Sequence, residues 1–349
     1  MAQQYILDDN RAEILKLLES HIQSGNLNFL VGSGASRPAL EVAGNIEVEI
    51  DQLLKAGEIQ KADLLAINFI EALESVNQDV VAGNSTAKID ETVKNYSEFL
   101  KNIDQLLFER KTQLLPRQAS IFTTNYDFFF ERAANDLATV LINDGFDRTV
   151  TVKAGFPFAP EKYFDRTFRS GNVYERQAEV PSLNLIKIHG SLTWTRGVSE
   201  EICYSTSDCV QLTEDEKKVP AKVRESLKKR VVILPNMRKF ESTLLDRVYF
   251  DLLRLYSNAM EKENALLITF GFSFEDKHIL DVTKRALRNP TAKLIIFAYS
   301  KKNAEAFSEK FEQQRNVLII SPSGENNILF GDLNKLFSEI APLVKDGHD

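Results

Sequence analysis

The chain has 349 residues, 43% apolar and 27% charged, an ordinary globular composition that excludes a disordered or fibrous protein. Its 43 basic and 50 acidic residues leave a net charge of −7, which sets the surface against a phosphate backbone and argues against nucleic acid as a direct ligand. The two cysteines, Cys203 and Cys209, have no second pair or nearby histidine to complete a zinc site. Residues 1–10 do not read as a leader, and no window approaches the roughly 18 apolar residues of a membrane span, so a cytoplasmic protein without a membrane partner is expected.

Residues 10–24 place Ile14, Leu17, Leu18 and Ile22 at helical spacing, and Gly25-Asn26 ends that helix. Residues 27–31 predict a strand that runs directly into Gly32-Ser33-Gly34-Ala35-Ser36, after which a second helix is expected. Residues 45–115 carry only helical patterns and read as a helical insertion or second lobe. Strand patterns resume at 119–123, 185–188, 231–234, 265–270, 293–297 and 317–320; several are unbroken apolar runs, as expected of parallel strands buried on both faces. Helical patterns at 240–262, 275–288 and 302–314 alternate with them, and one more, 330–345, closes the chain. This order predicts an α/β fold, a Rossmann-like parallel sheet with helices on both faces. The whole of 1–349 is expected to form a single domain, with 45–115 inserted and 330–349 as a terminal helix.

Parallel α/β sheets bind ligands at the carboxyl ends of their strands, and four polar clusters fall there. Gly32 to Ser36 combines two glycines that allow close backbone approach with amides suited to a pyrophosphate, although it lacks the third glycine of the usual dinucleotide fingerprint. Thr123-Thr124-Asn125-Tyr126-Asp127 precedes a helical pattern, where an Asn or Asp cap accounts for one residue but not for the cluster. His189-Gly190-Ser191 ends an apolar strand and places a histidine for acid–base work near neutral pH. Gly271-Phe272-Ser273-Phe274-Glu275-Asp276 again joins strand to helix, and Ser273 with Asp276 also reads as a capping box.

The ordered set GSGAS, TTNYD, HGS and GFSFED resembles the sirtuin superfamily across roughly residues 27–300, and within it the prokaryotic sirtuin-like proteins of anti-phage defence. The resemblance implies NAD as substrate, with Gly32, Ser33, Gly34, Ala35 and Ser36 at its phosphates. It places Thr124, Asn125 and Asp127 at the nicotinamide ribose and the attacking nucleophile. His189 would be the general base, with Gly271, Ser273 and Asp276 toward the adenosine half. The paired CxxC zinc module of the deacylases is absent or rebuilt, since the corresponding stretch holds only Cys203 and Cys209. Arg37-Pro38 follows the glycine loop at once, so Arg37 is not equated with the arginine that the family carries farther on.

The expected reaction is therefore hydrolysis of NAD to nicotinamide and ADP-ribose, without metal. A deacylase, an ADP-ribosyltransferase and a non-catalytic NAD or ADP-ribose sensor are the alternatives. An unrestrained NAD-destroying enzyme would poison its host, so control by homo-oligomer assembly or a partner is expected. The resemblance suggests a HerA-type ATPase, with a short Argonaute second. Residues 45–115 and the terminal helix are the expected assembly surfaces. The basic run 217–230, seven Lys or Arg against one Glu, reads as a solvated helix face.

Overall fold

The computed structural model describes residues 2–41, 44–112, 114–149, 155–171, 177–196, 201–204, 211–233 and 247–346. Its centre is an eight-stranded sheet in which every pairing is parallel. In chain order the strands are β1 (Gln3–Ile6), β2 (Asn26–Val31), β3 (Gln118–Thr123), β4 (Leu141–Asn143), β5 (Phe156–Pro157), β6 (Phe168–Ser170), β7 (Gln177–Glu179), β8 (Ser182–Lys187), β9 (Gly190–Arg196), β10 (Ile202–Tyr204), β11 (Arg230–Val232), β12 (Ala265–Phe270), β13 (Lys293–Phe297) and β14 (Val317–Ser321). The parallel sheet runs β1-β14-β13-β12-β2-β3-β8-β4.

Successive residues of a strand point to opposite faces, and both faces are covered. Phe29, Val31, Ile121, Ile268 and Ile295 face one core with α1 (Arg11–Ser24), while Leu30, Phe122, Leu267, Leu294 and Ile296 face a second. That second core is closed by the helix Arg247–Glu261 and by those at Lys277–Ala286 and Lys301–Lys310. Burial on both sides explains why these strands read as unbroken apolar runs.

The helical segment resolves into α2 (Gly44–Lys55), α3 (Ile59–Ala82) and α4 (Ala87–Glu109). Its parts are not equivalent. Tyr96, Phe99, Leu100, Ile103, Leu106 and Leu107 of α4 belong to the first core, where the Phe99 ring centroid lies 5.3 Å from Phe330 and 6.1 Å from Phe337 of the terminal helix Phe330–Asp346. By contrast, α2 and the first turns of α3 share a small cluster around Ile50, Ala62 and Ala66, while Ile70, Leu73 and Val80 farther along α3 join the first core. Polar contacts tie α3 to residues 211–230: Arg230 makes a buried bidentate pair with Glu74 at 2.7 and 2.8 Å, Lys217 lies 2.9 Å from Glu71, and Arg224 lies 2.9 Å from Asp63. The inner side of the basic run is thus taken up by α3 rather than by solvent.

Three expectations change. The chain after Gly32 makes a single 3₁₀ turn, Ser33–Ser36, and the next α-helix begins only at Gly44. Residues 230–232 form β11, which pairs antiparallel with β9 in a second sheet of order β11-β9-β10-β5, and so lie outside the parallel sheet. A short apolar run carries no signal of strand direction, which is why the sequence could not separate the two cases. The small strands between residues 141 and 204 were also missed, being two to seven residues long and mostly irregular in pattern. Of the helical pattern at 240–262, only the part from 247 onward lies within the described residues; Leu234, of the strand expected at 231–234, and Cys209 lie outside them.

Candidate functional site

Strands β12, β2, β3 and β8 are consecutive neighbours, so the loops that leave their carboxyl ends meet in one place. The first and last of these loops touch. The Gly32 amide donates to the Phe270 carbonyl at 3.1 Å and the Gly34 amide to the Gly271 carbonyl at 3.0 Å. Gly271 has φ +66°, and a Cβ added there would sit 2.6 Å from the Ala35 nitrogen, while one on Gly32 would sit 2.4 Å from the Gly271 carbonyl oxygen. Only hydrogen fits on these facing backbones. The glycines serve first to bring the two loops together, and the amides of Gly32, Gly34 and Ala35 are already engaged within the protein.

Asn125 lies on the floor of the cleft formed by these loops and is only 5% exposed. Its Nδ2 donates to the Gly32 carbonyl at 3.1 Å, to Ser36 Oγ at 3.1 Å and to Tyr96 Oη at 3.3 Å. Its Oδ1, although buried, has no hydrogen-bond partner among the described residues. A buried acceptor without a donor is costly and needs an explanation; here it is the atom that a ligand O–H entering the cleft would satisfy. Ser36 Oγ donates to Asp127 Oδ2 at 2.6 Å, and the Phe129 amide donates to Oδ1 at 3.3 Å. Burial raises the Asp127 carboxyl above the usual carboxylate range, and nearby Lys187 with these hydrogen bonds pulls it back.

Lys187, at the end of β8, is 2% exposed; its Nζ lies 2.7 Å from Glu131 Oε1 and donates to the Asp127 carbonyl at 2.5 Å and to Ser191 Oγ at 3.1 Å. Burial pushes the Glu131 carboxyl up, against the opposing pull of the same lysine. This pair locks the start of the helix α5 (Phe129–Asp136) against β8, and with it the backbone that presents Asn125 and Asp127.

His189 follows β8, and Gly190, with φ +80°, lets the chain reverse at once into β9. His189 Nε2 lies 3.0 Å from Asp276 Oδ2, and both side chains are under 10% exposed. Asp276 is itself the cap of the helix Lys277–Ala286, its Oδ1 accepting from the amides of His278 at 2.9 Å and Ile279 at 3.2 Å. The capping box expected with Ser273 therefore does not form. Instead the Ser273 and Phe274 carbonyls accept from Lys310 Nζ, which also pairs with Glu275 and steadies this loop.

Ser33, Ser36, Thr124, Asn125, Asp127, His189, Gly271, Ser273 and Asp276 all line one cleft, which encloses about 830 Å³ with its open mouth included. Gly34 lines an adjoining hollow with Arg37, Phe297 and Tyr299, and Gly271 and Ser273 join the two. Gly32 and Ala35 stand behind the surface rather than on it. The sequence reading did not include Tyr96, Lys187, or the wall residues Phe69 and Leu73 of α3. Lys187 carries a legible signal, a lysine inside an apolar run that must find a carboxylate once buried. Tyr96 carries none, since it sits on the apolar stripe of an ordinary amphipathic helix.

One comparison with known proteins covers part of this site. Residues 119–235 match the family model described as a SIR2-like domain. The chain is also similar to a solved structure of a Sir2 homolog–NAD complex, at 13% identity and a TM-score of 0.44, over 99% of this chain and 97% of that one. No curated protein matches. The stretch matched by the SIR2-like family model holds Asn125, Asp127 and His189, and it leaves out Gly32–Ser36, Tyr96 and Gly271–Asp276.

Proposed function

We propose that the cleft binds NAD and that the protein hydrolyses its nicotinamide–ribose bond, releasing nicotinamide and ADP-ribose. The observation that carries this reading is the unsatisfied, buried Asn125 Oδ1, set in the same cleft as the His189–Asp276 pair. The motif order supports NAD as the ligand. Nicotinamide is attached as a cation and departs with the bonding electron pair, so the site has mainly to position water and stabilise positive charge on the ribose. Asn125 Oδ1 accepts from the ribose hydroxyl or the incoming water. As the new C–O bond forms, the water proton passes to His189, and the Asp276 carboxylate 3.0 Å from Nε2 offsets the resulting imidazolium charge. The glycine loops, closed on one another, shape the wall on the phosphate side, which Ser33 and the buried Ser36 help to line.

The same proposal assigns NAD depletion in anti-phage defence as the biological output, restrained by self-assembly or by a partner such as a HerA-type ATPase. The resemblance in motifs supports this, as does the harm an unrestrained enzyme would do. The test follows nicotinamide release from NAD by the wild type, Asn125→Ala and His189→Ala, alone and with the neighbouring gene product. Loss of at least 100-fold in both variants is expected. Unchanged release in both overturns the reading, and acetyl-peptide turnover without free ADP-ribose replaces hydrolysis with deacylation.

A further inference from the structure

Tyr96 lies outside the stretch matched by the family model, on α4 of the helical segment, yet its hydroxyl reaches the floor of the cleft. The residue is fully buried. Its ring stacks on Phe129 at 5.6 Å and meets Phe130 and Phe330 edge-on at 4.6 and 5.3 Å, which leaves the hydroxyl no freedom to move away. Tyr96 Oη lies 2.9 Å from Ser36 Oγ and 3.3 Å from Asn125 Nδ2.

The direction of these bonds follows from counting protons. Ser36 has one, and it goes to Asp127 Oδ2 at 2.6 Å. Tyr96 must therefore donate to Ser36 Oγ, which turns the tyrosine lone pairs toward Asn125. The Asn125 amide nitrogen then faces three acceptors, the Gly32 carbonyl, Ser36 Oγ and Tyr96 Oη. A flipped amide would set Oδ1 against the Gly32 carbonyl oxygen and the Ser36 lone pair, acceptor against acceptor. The chain Tyr96 to Ser36 to Asp127 thus holds the Asn125 amide so that Oδ1 alone is left for the cleft.

We infer that Tyr96 is a positioning residue for the proposed reaction, acting through Ser36 to hold the Asn125 carboxamide oxygen toward the ligand, so that the helical segment is part of the active site. This rests on the NAD-cleavage reading for its kinetic consequence but not for its structural one.

The test uses the full-length chain with Tyr96→Phe, which removes the hydroxyl and keeps the ring among its aromatic neighbours. Phe130→Leu serves as a control that loosens the same packing without touching the hydrogen bonds. Two readouts are taken: nicotinamide release, and water exchange of the Asn125 side-chain amide, its resonance assigned by its disappearance in Asn125→Ala. In Tyr96→Phe, exchange should quicken and kcat fall, each about tenfold, with KM changed less than twofold, because the interaction belongs to orientation rather than to affinity. Phe130→Leu should lower Tm and leave kcat within twofold.

Unchanged exchange and kcat in Tyr96→Phe overturn the assignment, as does an equal loss of kcat in Phe130→Leu. So does faster exchange with wild-type kcat while Asn125→Ala is inactive. If Asn125→Ala itself keeps full activity, it is the hydrolase reading that fails, and the exchange measurement still decides whether Tyr96 holds the amide.

Discussion

The two sides of the cleft are built on different principles. The strand-end side, Gly32–Ser36, Thr124–Asp127, His189 and Gly271–Asp276, is held by backbone contacts and short polar bonds, with the chemistry-bearing atoms on its surface. The helical side is held by apolar burial in α4 and α3, with buried ion pairs added on α3, and lends the cleft mainly hydrophobic wall from Phe69 and Leu73. One hydroxyl, that of Tyr96, crosses from the second side to the first. Loops at the ends of a rigid parallel sheet can hold reactive groups to within a few tenths of an ångström. A helical wall packed on the core and pinned in addition by long ionic side chains excludes water, and depends in part on a few buried charges.

This difference predicts how each side fails. The largest stability loss should follow Glu74→Ala, which leaves Arg230 buried beside α3 without its carboxylate and costs about 3 kcal/mol, measured by urea unfolding. A cost under about 1 kcal/mol would show that α3 is not held by this pair. Glu74→Leu combined with Arg230→Met should recover most of the loss, because two apolar groups replace two desolvated charges.

Gly271→Ala strikes the other side. It places a Cβ against the Ala35 nitrogen at a positive φ, costing about 1–3 kcal/mol. It should also lower nicotinamide release per folded molecule, because the two loops cannot stay in contact. Retained activity with lowered stability would show that their contact matters only to the fold.

The smallest effect tests the interior of α4. Burial alone raises the Asp104 carboxyl from the ordinary 3.8 to about 6. The folded state therefore holds its proton more tightly than the unfolded chain does, and stability falls as pH rises between those two values. Asp104→Asn should be neutral at pH 3.5 and stabilising by about 1 kcal/mol at pH 7, a figure reduced for its partial exposure. An equal gain at both pH values would assign it to packing.

Much of this was legible in the residues. The apolar runs at 265–270, 293–297 and 317–320 are strands buried on both faces, and 45–115 is the stretch of three helices that its periodicity predicts. Asn125, His189 and Ser273, more than 60 residues apart in each step, were placed together by the rule for parallel strand ends, and they do share a cleft. Less legible was the purpose of individual residues. Gly32 and Gly34 suggested close approach to a ligand, whereas their nearest partner is Gly271. Asp276 read as the partner of a Ser273 cap, whereas it is itself the cap, and the same carboxylate also holds His189. The basic run 217–230 gave no sign that acids some 140–160 residues earlier would meet it.

By itself, then, the sequence determined the alternation of strands and helices, the burial of the sheet and the identity of the polar groups at its ends, because periodicity and strand-end chemistry are local properties. Only the tertiary structure decided which of those groups bond to one another. It turned β11 into an antiparallel strand, set Asp276 against His189 and brought Tyr96 beneath Asn125, since a hydrogen bond depends on positions good to a few tenths of an ångström, and these come from packing between distant segments.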